Sequence, residues 1–94
     1  MGTLLIKETE DTPKIIMSNE KGEFSFQGKS YPEDAMSFYA PIKKWIKEYI
    51  LDPKEETIIS FNFDYLNTAS TKSIMELLMH LGKVLAMNKK LLIV

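Results

Sequence analysis

In the second half of the chain, the hydrophobic pattern changes from that of a strand to that of a helix and back to that of a strand. This order limits the folds that the chain can adopt. Residues 57–64 form a run rich in β-branched and aromatic side chains. One face of this run carries Ile59, Phe61 and Phe63. A helical stripe follows, and residues 91–94 are then wholly apolar, as in a strand covered on both faces. We therefore expect two parallel strands joined by a right-handed helical crossover.

The helix between these two strands has an apolar side and a polar side. Its apolar stripe is Ile74, Leu77, Leu78, Leu81 and Leu85, and its opposite side carries Lys72, Glu76 and Lys83. Basic residues suit the negative end of a helix dipole, so we expect this helix to end near residues 88–90.

The first half of the chain predicts a hairpin followed by another helix. Residues 14–18 and 23–27 are β-prone runs on either side of a polar turn that ends in Gly22. A hydroxyl, a proline and two acids at 30–34 are typical of a helix start. We expect Pro41 to kink or split that helix, because proline removes a backbone donor and clashes with the preceding turn.

The expected fold class is therefore α/β, with the order β-β-α-β-α-β and a mixed four-stranded sheet packed against helices. Residues 1–94 fit a single domain, because a chain of 94 residues can bury one core but not two. Residues 1–12 are expected to form a flexible or edge N-terminal arm. The last predicted strand ends with the chain, so we also expect the domain to be truncated at its C-terminus.

Composition and charge exclude several classes of function. The net charge of -1 comes from 12 basic and 13 acidic residues spread along the chain, which argues against nucleic acid as a partner. The chain has no Cys and one His, so we expect no disulfide, no metal and no cofactor. No apolar run approaches transmembrane length, and we expect a cytoplasmic protein without membrane contact.

Enzymatic activity is a weak hypothesis for this sequence. It has no nucleophile elbow, phosphate-binding glycine loop or metal motif. The titratable candidates Glu33, Asp34, Asp64 and His80 lack motif spacing. His80 lies on the flank of the second helix, where an ordinary surface or boundary histidine is the simpler interpretation. We therefore predict no catalytic residue.

The polar stretch at 64–72, with the sequence DYLNTASTK, leaves two interpretations open. In the structural one, Asn67, Thr68 or Ser70 is an N-cap whose side-chain oxygen accepts a backbone N–H of the first helical turn. In the functional one, a hydroxyl at the start of a helix accepts a phosphoryl group, since function gathers where a strand leads into a helix and the helix N-terminus favours negative charge.

Three segments together resemble the SiaC family of bacterial regulatory phosphoproteins. They are Gly-Lys-Ser-Tyr-Pro-Glu-Asp at 28–34, Phe-Tyr-Ala-Pro-Ile at 38–42 with Trp45, and Tyr-Leu-Asn-Thr-Ala-Ser at 65–70. The resemblance runs from about Thr12 to the end of the chain. Asn67 to Ser70 lacks the acid and the glycine that anti-sigma-factor antagonists usually carry in this loop, so the match is to SiaC and not to that wider class.

The resemblance implies a STAS-like fold, similar to anti-sigma-factor antagonists, in a partner-switching circuit. A Ser/Thr protein kinase would phosphorylate the protein, a Ser/Thr phosphatase would reverse this, and one form would bind an output protein. In this family the output protein is a diguanylate cyclase, whose cyclic-di-GMP governs biofilm behaviour. The phosphoacceptor of the family falls on Thr68. Family members are longer at the C-terminus.

We therefore predict a non-enzymatic signalling phosphoprotein with Thr68 as its reversible phosphorylation site. Asn67 would shape the turn, Ser70 and Thr71 would cap the helix, and Lys72 would offset part of the phosphate charge. The predicted loop and partner surface comprises Tyr65, Asn67, Ser70, Thr71, Lys72, Met75 and Met79. The alternative is a protein-interaction or assembly module in which 67–70 is only a helix cap.

Overall fold

One mixed five-stranded sheet and two α-helices make up the chain, as seen in a computed structural model that describes residues 2–94. The strands are β1 (Thr3–Ile6), β2 (Lys14–Ser18), β3 (Glu23–Ser30), β4 (Glu56–Leu66) and β5 (Lys90–Ile93). The helices are α1 (Ala35–Tyr49) and α2 (Thr68–Leu81), and a 3₁₀ helix (Gly82–Met87) follows α2 directly.

The strands lie in the order β1-β2-β3-β4-β5. The first three are antiparallel, whereas β3 with β4 and β4 with β5 are parallel pairs. Each parallel pair is joined by a helix, α1 in the first case and α2 in the second. This arrangement confirms the predicted hairpin and the predicted β-α-β unit.

The predicted count of four strands is wrong, because residues of the expected N-terminal arm form a fifth strand. β1 pairs antiparallel with β2, with Leu4 opposite Met17 and Ile6 opposite Ile15. Leu4 and Ile6 pack against the core. An apolar run of three residues shows no period of its own, so only its pairing with the edge of β2 makes it a strand.

The core lies between the two helices and one face of the sheet. In β3, Phe24 and Phe26 are buried, whereas the alternating residues Glu23 and Ser25 are exposed. The Phe24 ring packs edge-on against Tyr49 of α1, with 4.9 Å between ring centroids. The fully buried core side chains of the helices include Tyr39, Ile42, Ile46, Tyr49, Leu77 and Leu81.

Helix α1 begins later than the sequence predicts. Ser30 is the last residue of β3, and Asp34 is the N-cap. The Asp34 carboxylate accepts hydrogen bonds from the Ser37 backbone N–H at 3.2 Å and from the Ser37 hydroxyl at 2.6 Å, which lower the pKa of Asp34. Pro41 does not split α1, which is continuous from Ala35 to Tyr49. Buried side chains on both sides of the exposed Pro41 hold the helix to the core.

The end of the second helical segment also differs from the prediction. The α-helix stops at Leu81 and continues as the 3₁₀ helix up to Asn88, which is left-handed with φ 61°. Because a 3₁₀ helix has three residues per turn, the buried side shifts from the expected Leu85 to Val84. Leu85 is 58% exposed.

The last strand is less covered than its composition predicts. Of its apolar residues, Leu91 packs against the core, whereas Leu92 and Ile93 are exposed. Helices α1 and α2 bury only one face of the sheet, and Leu92 points to the other face. Ile93 shares the face of Leu91 but lies at the end of an edge strand. Within residues 2–94, none of the helices has the length and apolarity needed to cross a membrane.

We expect Gly22→Ala to destabilise the protein by about 1–3 kcal/mol. Gly22 ends the β2–β3 turn with φ +66°, and an added Cβ would lie 2.8 Å from the Glu56 carbonyl oxygen. Gly82→Ala is the matched control, because its Cβ would meet nothing within 4 Å and alanine favours helix by about 1 kcal/mol over glycine. Urea unfolding of both variants tests this. Equal losses would contradict the steric argument.

Candidate functional site

The loop between β4 and α2 begins with a side chain that caps the helix. The Asn67 Oδ1 atom accepts a hydrogen bond from the Ser70 backbone N–H at 2.8 Å. The Asn67 carbonyl oxygen accepts the Thr71 backbone N–H at 3.0 Å and the Thr71 hydroxyl at 3.1 Å. Of the three candidate caps in the sequence, Asn67 is therefore the one used.

Thr68 is the first residue of α2 and is exposed. Across the described part of the chain, its hydroxyl takes part in none of the side-chain hydrogen bonds that fix the loop. The positive end of the helix dipole lies at this residue. Thr68 thus offers a free hydroxyl where added negative charge is tolerated.

A chain of three buried hydroxyls lies beneath the loop. The Ser30 hydroxyl donates to the Ser70 Oγ at 2.8 Å and lies 2.7 Å from the Tyr39 hydroxyl. Ser30 has one hydroxyl proton, so Tyr39 is the donor in the second bond. All three side chains are at most 1% exposed. The chain joins the end of β3, the middle of α1 and the start of α2.

Burial determines the ionisation state of the phenol in this chain. Burial raises the pKa of Tyr39, and the hydrogen bonds with Ser30 and Ser70 oppose this more weakly. The phenol therefore stays neutral at physiological pH and keeps the proton that it donates to Ser30. The neutral phenol of Tyr39 needs no oppositely charged side chain, and its partners Ser30 and Ser70 carry no charge.

The position of Ser70 differs from the prediction. We expected Ser70 to cap the helix and to belong to the loop surface, but its side chain is completely buried. Its place four residues before the buried Ile74 is the signal that could have shown this. Sequence reasoning missed Ser30 and Tyr39, because hydrogen bonds between residues so far apart in the chain need the tertiary structure.

Two exposed tyrosines lie beside the loop. The rings of Tyr31 and Tyr65 pack edge to face, with 5.8 Å between their centroids. Tyr31 is 37% exposed and Tyr65 is 54% exposed. Backbone hydrogen bonds hold the chain near both tyrosines. The Tyr31 N–H donates to the Asp11 carbonyl, and the Asn67 N–H, two residues after Tyr65, donates to the Ser30 carbonyl. The sequence indicated Tyr65 as surface but not Tyr31.

Thr68 begins an exposed ridge on the outer side of α2. We define this ridge as Thr68, Lys72, Met75 and Met79, whose spacing of four, three and four places them on one helical stripe. The stripe is opposite the buried one that contains Ile74. Met75 is 56% exposed and Met79 is 74% exposed, so the stripe offers two adjacent adaptable apolar side chains to solvent. The nearby Thr71 is also exposed.

The titratable residues that were weighed as catalytic candidates form no joint site. Glu33 and Asp34 precede α1, Asp64 lies in β4 and His80 lies in α2. The carboxylate of Asp34 serves as a helix cap. Within residues 2–94, no three His, Cys, Asp or Glu side chains are placed to hold a metal ion.

A small α/β domain with an uncommitted hydroxyl at a helix start and an exposed apolar ridge has the features of a signalling module. The chain belongs to the SiaC family of regulatory phosphoproteins, whose family model matches residues 6–94.

Two known proteins that are similar to this chain come from Pseudomonas aeruginosa. An uncharacterized protein of strain UCBPP-PA14 is 32% identical over 78 residues, and the match covers 83% of this chain. The chain spans only 62% of that relative's length. The crystal structure of apo-SiaC is similar with a TM-score of 0.92 and 28% identity, covering 99% of this chain and 77% of that one.

A second solved structure shows SiaC of Pseudomonas aeruginosa as an activator bound to the diguanylate cyclase SiaD. It is similar to this chain with a TM-score of 0.87 and 28% identity. The similarity covers 96% of this chain and 74% of that one.

We expect Asn67→Ala to lower the free energy of unfolding by about 0.5–2 kcal/mol, because the helix loses its cap. Thr68→Ala should change it by less than about 0.5 kcal/mol, since the Thr68 side chain is exposed and bonds to nothing in the loop. Urea unfolding measures both variants. A Thr68→Ala loss as large as that of Asn67→Ala would mean that Thr68 is structural.

Tyr39→Phe should destabilise the protein by about 1 kcal/mol, because Ser30 loses the donor of a buried hydrogen bond. Tyr65→Phe is the control, since it removes the same hydroxyl from an exposed ring. The comparison requires thermal unfolding of both variants. An unchanged midpoint for Tyr39→Phe would show that the buried hydroxyl chain adds no stability.

Proposed function

We propose that this chain is a signalling phosphoprotein of a partner-switching circuit, reversibly phosphorylated on Thr68. A Ser/Thr protein kinase adds the phosphate and a Ser/Thr phosphatase removes it. The observation that carries the proposal is the division of roles in the loop, where Asn67 caps α2 and leaves the hydroxyl of Thr68 exposed and uncommitted.

The local charges favour a phosphate at this position. A phosphorylated threonine carries about −1.5 to −2 charges at neutral pH. The N-terminus of α2 and Lys72, four residues after Thr68, both offset that charge. The Thr68 side chain contributes nothing to the core, so phosphorylation leaves the fold intact.

The same phosphate changes what the ridge on α2 can bind. Met75 and Met79 offer apolar contact area, and the phosphate on Thr68 adds charge and bulk at the end of the same stripe. A partner docked on the ridge would have to desolvate that charge. Binding is therefore lost without any refolding of the domain.

The output partner in this proposal is a diguanylate cyclase or a similar protein. Support comes from the complex of Pseudomonas aeruginosa SiaC with the diguanylate cyclase SiaD. We include in this proposal that the chain is a single STAS-like domain, similar to anti-sigma-factor antagonists. We also include that the protein is cytoplasmic. The protein in this circuit regulates its partner and catalyses no reaction itself.

The first experiment is mass spectrometry after incubation with ATP and the Ser/Thr kinase encoded nearest to this protein. We expect one phosphate on Thr68, because its hydroxyl is exposed and free. Thr68→Ala should remain unmodified, whereas Thr71→Ala should be phosphorylated as the unaltered protein is. Phosphate on Thr71 would contradict the assignment. No modification by a kinase that is active on another substrate would favour the assembly-module alternative.

The second half of the proposal is tested by pull-down of the output cyclase. The unphosphorylated protein and Thr68→Ala should bind equally well, and kinase treatment should abolish binding only of the unaltered protein. Binding that persists after complete phosphorylation would separate the modification from partner choice.

A further inference from the structure

The one histidine of the chain has an unused hydrogen-bonding atom. His80 lies in the last turn of α2, and its Nδ1 atom is shielded from solvent. Among the groups of residues 2–94, none forms a hydrogen bond with this atom. Shielded polar atoms in folded proteins nearly always have a partner. Because Nδ1 is shielded, a group that docks from outside would meet the other ring nitrogen, Nε2.

A shallow depression of about 250 Å³ opens next to this histidine. Its walls are formed by Glu76, Met79, His80 and Lys83. Met79 is 74% exposed and supplies an apolar wall. The depression thus places the imidazole of His80 next to apolar contact area.

Positive charge is concentrated around the depression although the chain as a whole has a net charge of -1. Lys43 of α1 forms an ion pair with Glu76 at 2.7 Å. Lys47 and Lys83 take part in none of the ion pairs found in residues 2–94. We call these five residues, Lys43, Lys47, Glu76, His80 and Lys83, the lysine seam.

The charges of the seam affect the pKa of His80. Burial lowers the pKa of His80, and repulsion by Lys47, Lys83 and Lys43 lowers it further. Glu76 acts in the opposite direction but is the weakest influence. The single carboxylate of the seam therefore leaves its positive charge only partly neutralised.

We infer that the lysine seam is a docking surface for an acidic amphipathic segment of a partner protein, with one carboxylate of that segment entering the depression beside His80. Such a carboxylate accepts a hydrogen bond from Nε2 of the imidazole, since Nδ1 is shielded, and it lies between the two unpaired cations, Lys47 and Lys83. An apolar residue on the same segment packs on Met79. The segment thereby neutralises the two unpaired lysines and covers the exposed Met79 beside the seam.

Other anions fit the seam less well. A nucleic acid needs a row of cations along its phosphates, but Glu76 interrupts this one. A small inorganic anion has no apolar part to contact Met79. The seam also lacks a fully buried cationic side chain that would hold such an ion.

The inference rests on the proposed function only in that both need a protein partner. It adds the chemistry of that partner and requires no phosphate on Thr68. A docked carboxylate favours the charged imidazole, so docking raises the pKa of His80 and takes up protons near its titration range.

The test is an NMR titration of the His80 imidazole, which is unambiguous because the chain has one histidine. The probe is a synthetic helical peptide with leucines on one face and glutamates along its borders, and its control carries glutamine for glutamate. We expect the glutamate peptide to raise the His80 pKa. The double variant Lys47→Gln and Lys83→Gln should bind it at least tenfold more weakly.

A control with the same change in net charge is Lys44→Gln with Lys14→Gln, since neither lysine acts on His80. This variant should bind the glutamate peptide as the unaltered protein does. Equal weakening in both double variants would reduce the effect to overall charge and overturn the inference. Equal binding of the glutamine peptide, or the same pKa shift with inorganic phosphate or single-stranded RNA, would also overturn it.

The outcome is separable from that of the phosphorylation experiment. Thr68→Ala should bind the peptide normally, and the variant without Lys47 and Lys83 should still be phosphorylated on Thr68. A failed kinase assay with positive peptide binding would remove the proposed circuit but keep the docking surface. The opposite pair of results would remove the docking surface alone.

Discussion

The hydroxyl chain of Tyr39, Ser30 and Ser70 is the interaction on which the candidate site depends. It connects one strand and both helices at the point where the β4–α2 loop begins. The three hydroxyls are buried, so each one left without a partner would cost about 1–3 kcal/mol, and this penalty favours a single arrangement of the three elements. The loop above them therefore rests on a fixed base.

Above this fixed base, one short loop contains both side chains that hold the structure and a side chain that is free. Asn67 and Ser70 carry the hydrogen bonds that start α2, whereas Thr68 between them carries none of these. A group added to Thr68 therefore alters the outer surface of α2 and not its packing. The exposed ridge and the lysine seam are adjacent surfaces that meet at Met79, so both binding proposals involve α2.

Much of the fold could be predicted from hydrophobic period alone. The hairpin, β4 and α2 have regular patterns; the hairpin and β4 form where expected, and α2 begins where expected. β1 was missed as a strand because three apolar residues have no measurable period, and Leu85 was misplaced because a change to 3₁₀ geometry leaves no mark in the pattern. For the site, the sequence indicated the loop and Thr68 but left its cap open among three residues.

The sequence by itself determined that a polar loop would lead from a strand into an amphipathic helix, because periodicity and capping chemistry are local properties. Only the tertiary structure decided which side chain of that loop stays free. Ser70 turns inward because Ser30 and Tyr39, from a strand and a helix distant in the chain, meet it there. Asn67 then holds the cap, and Thr68 is left facing solvent because no other element reaches it.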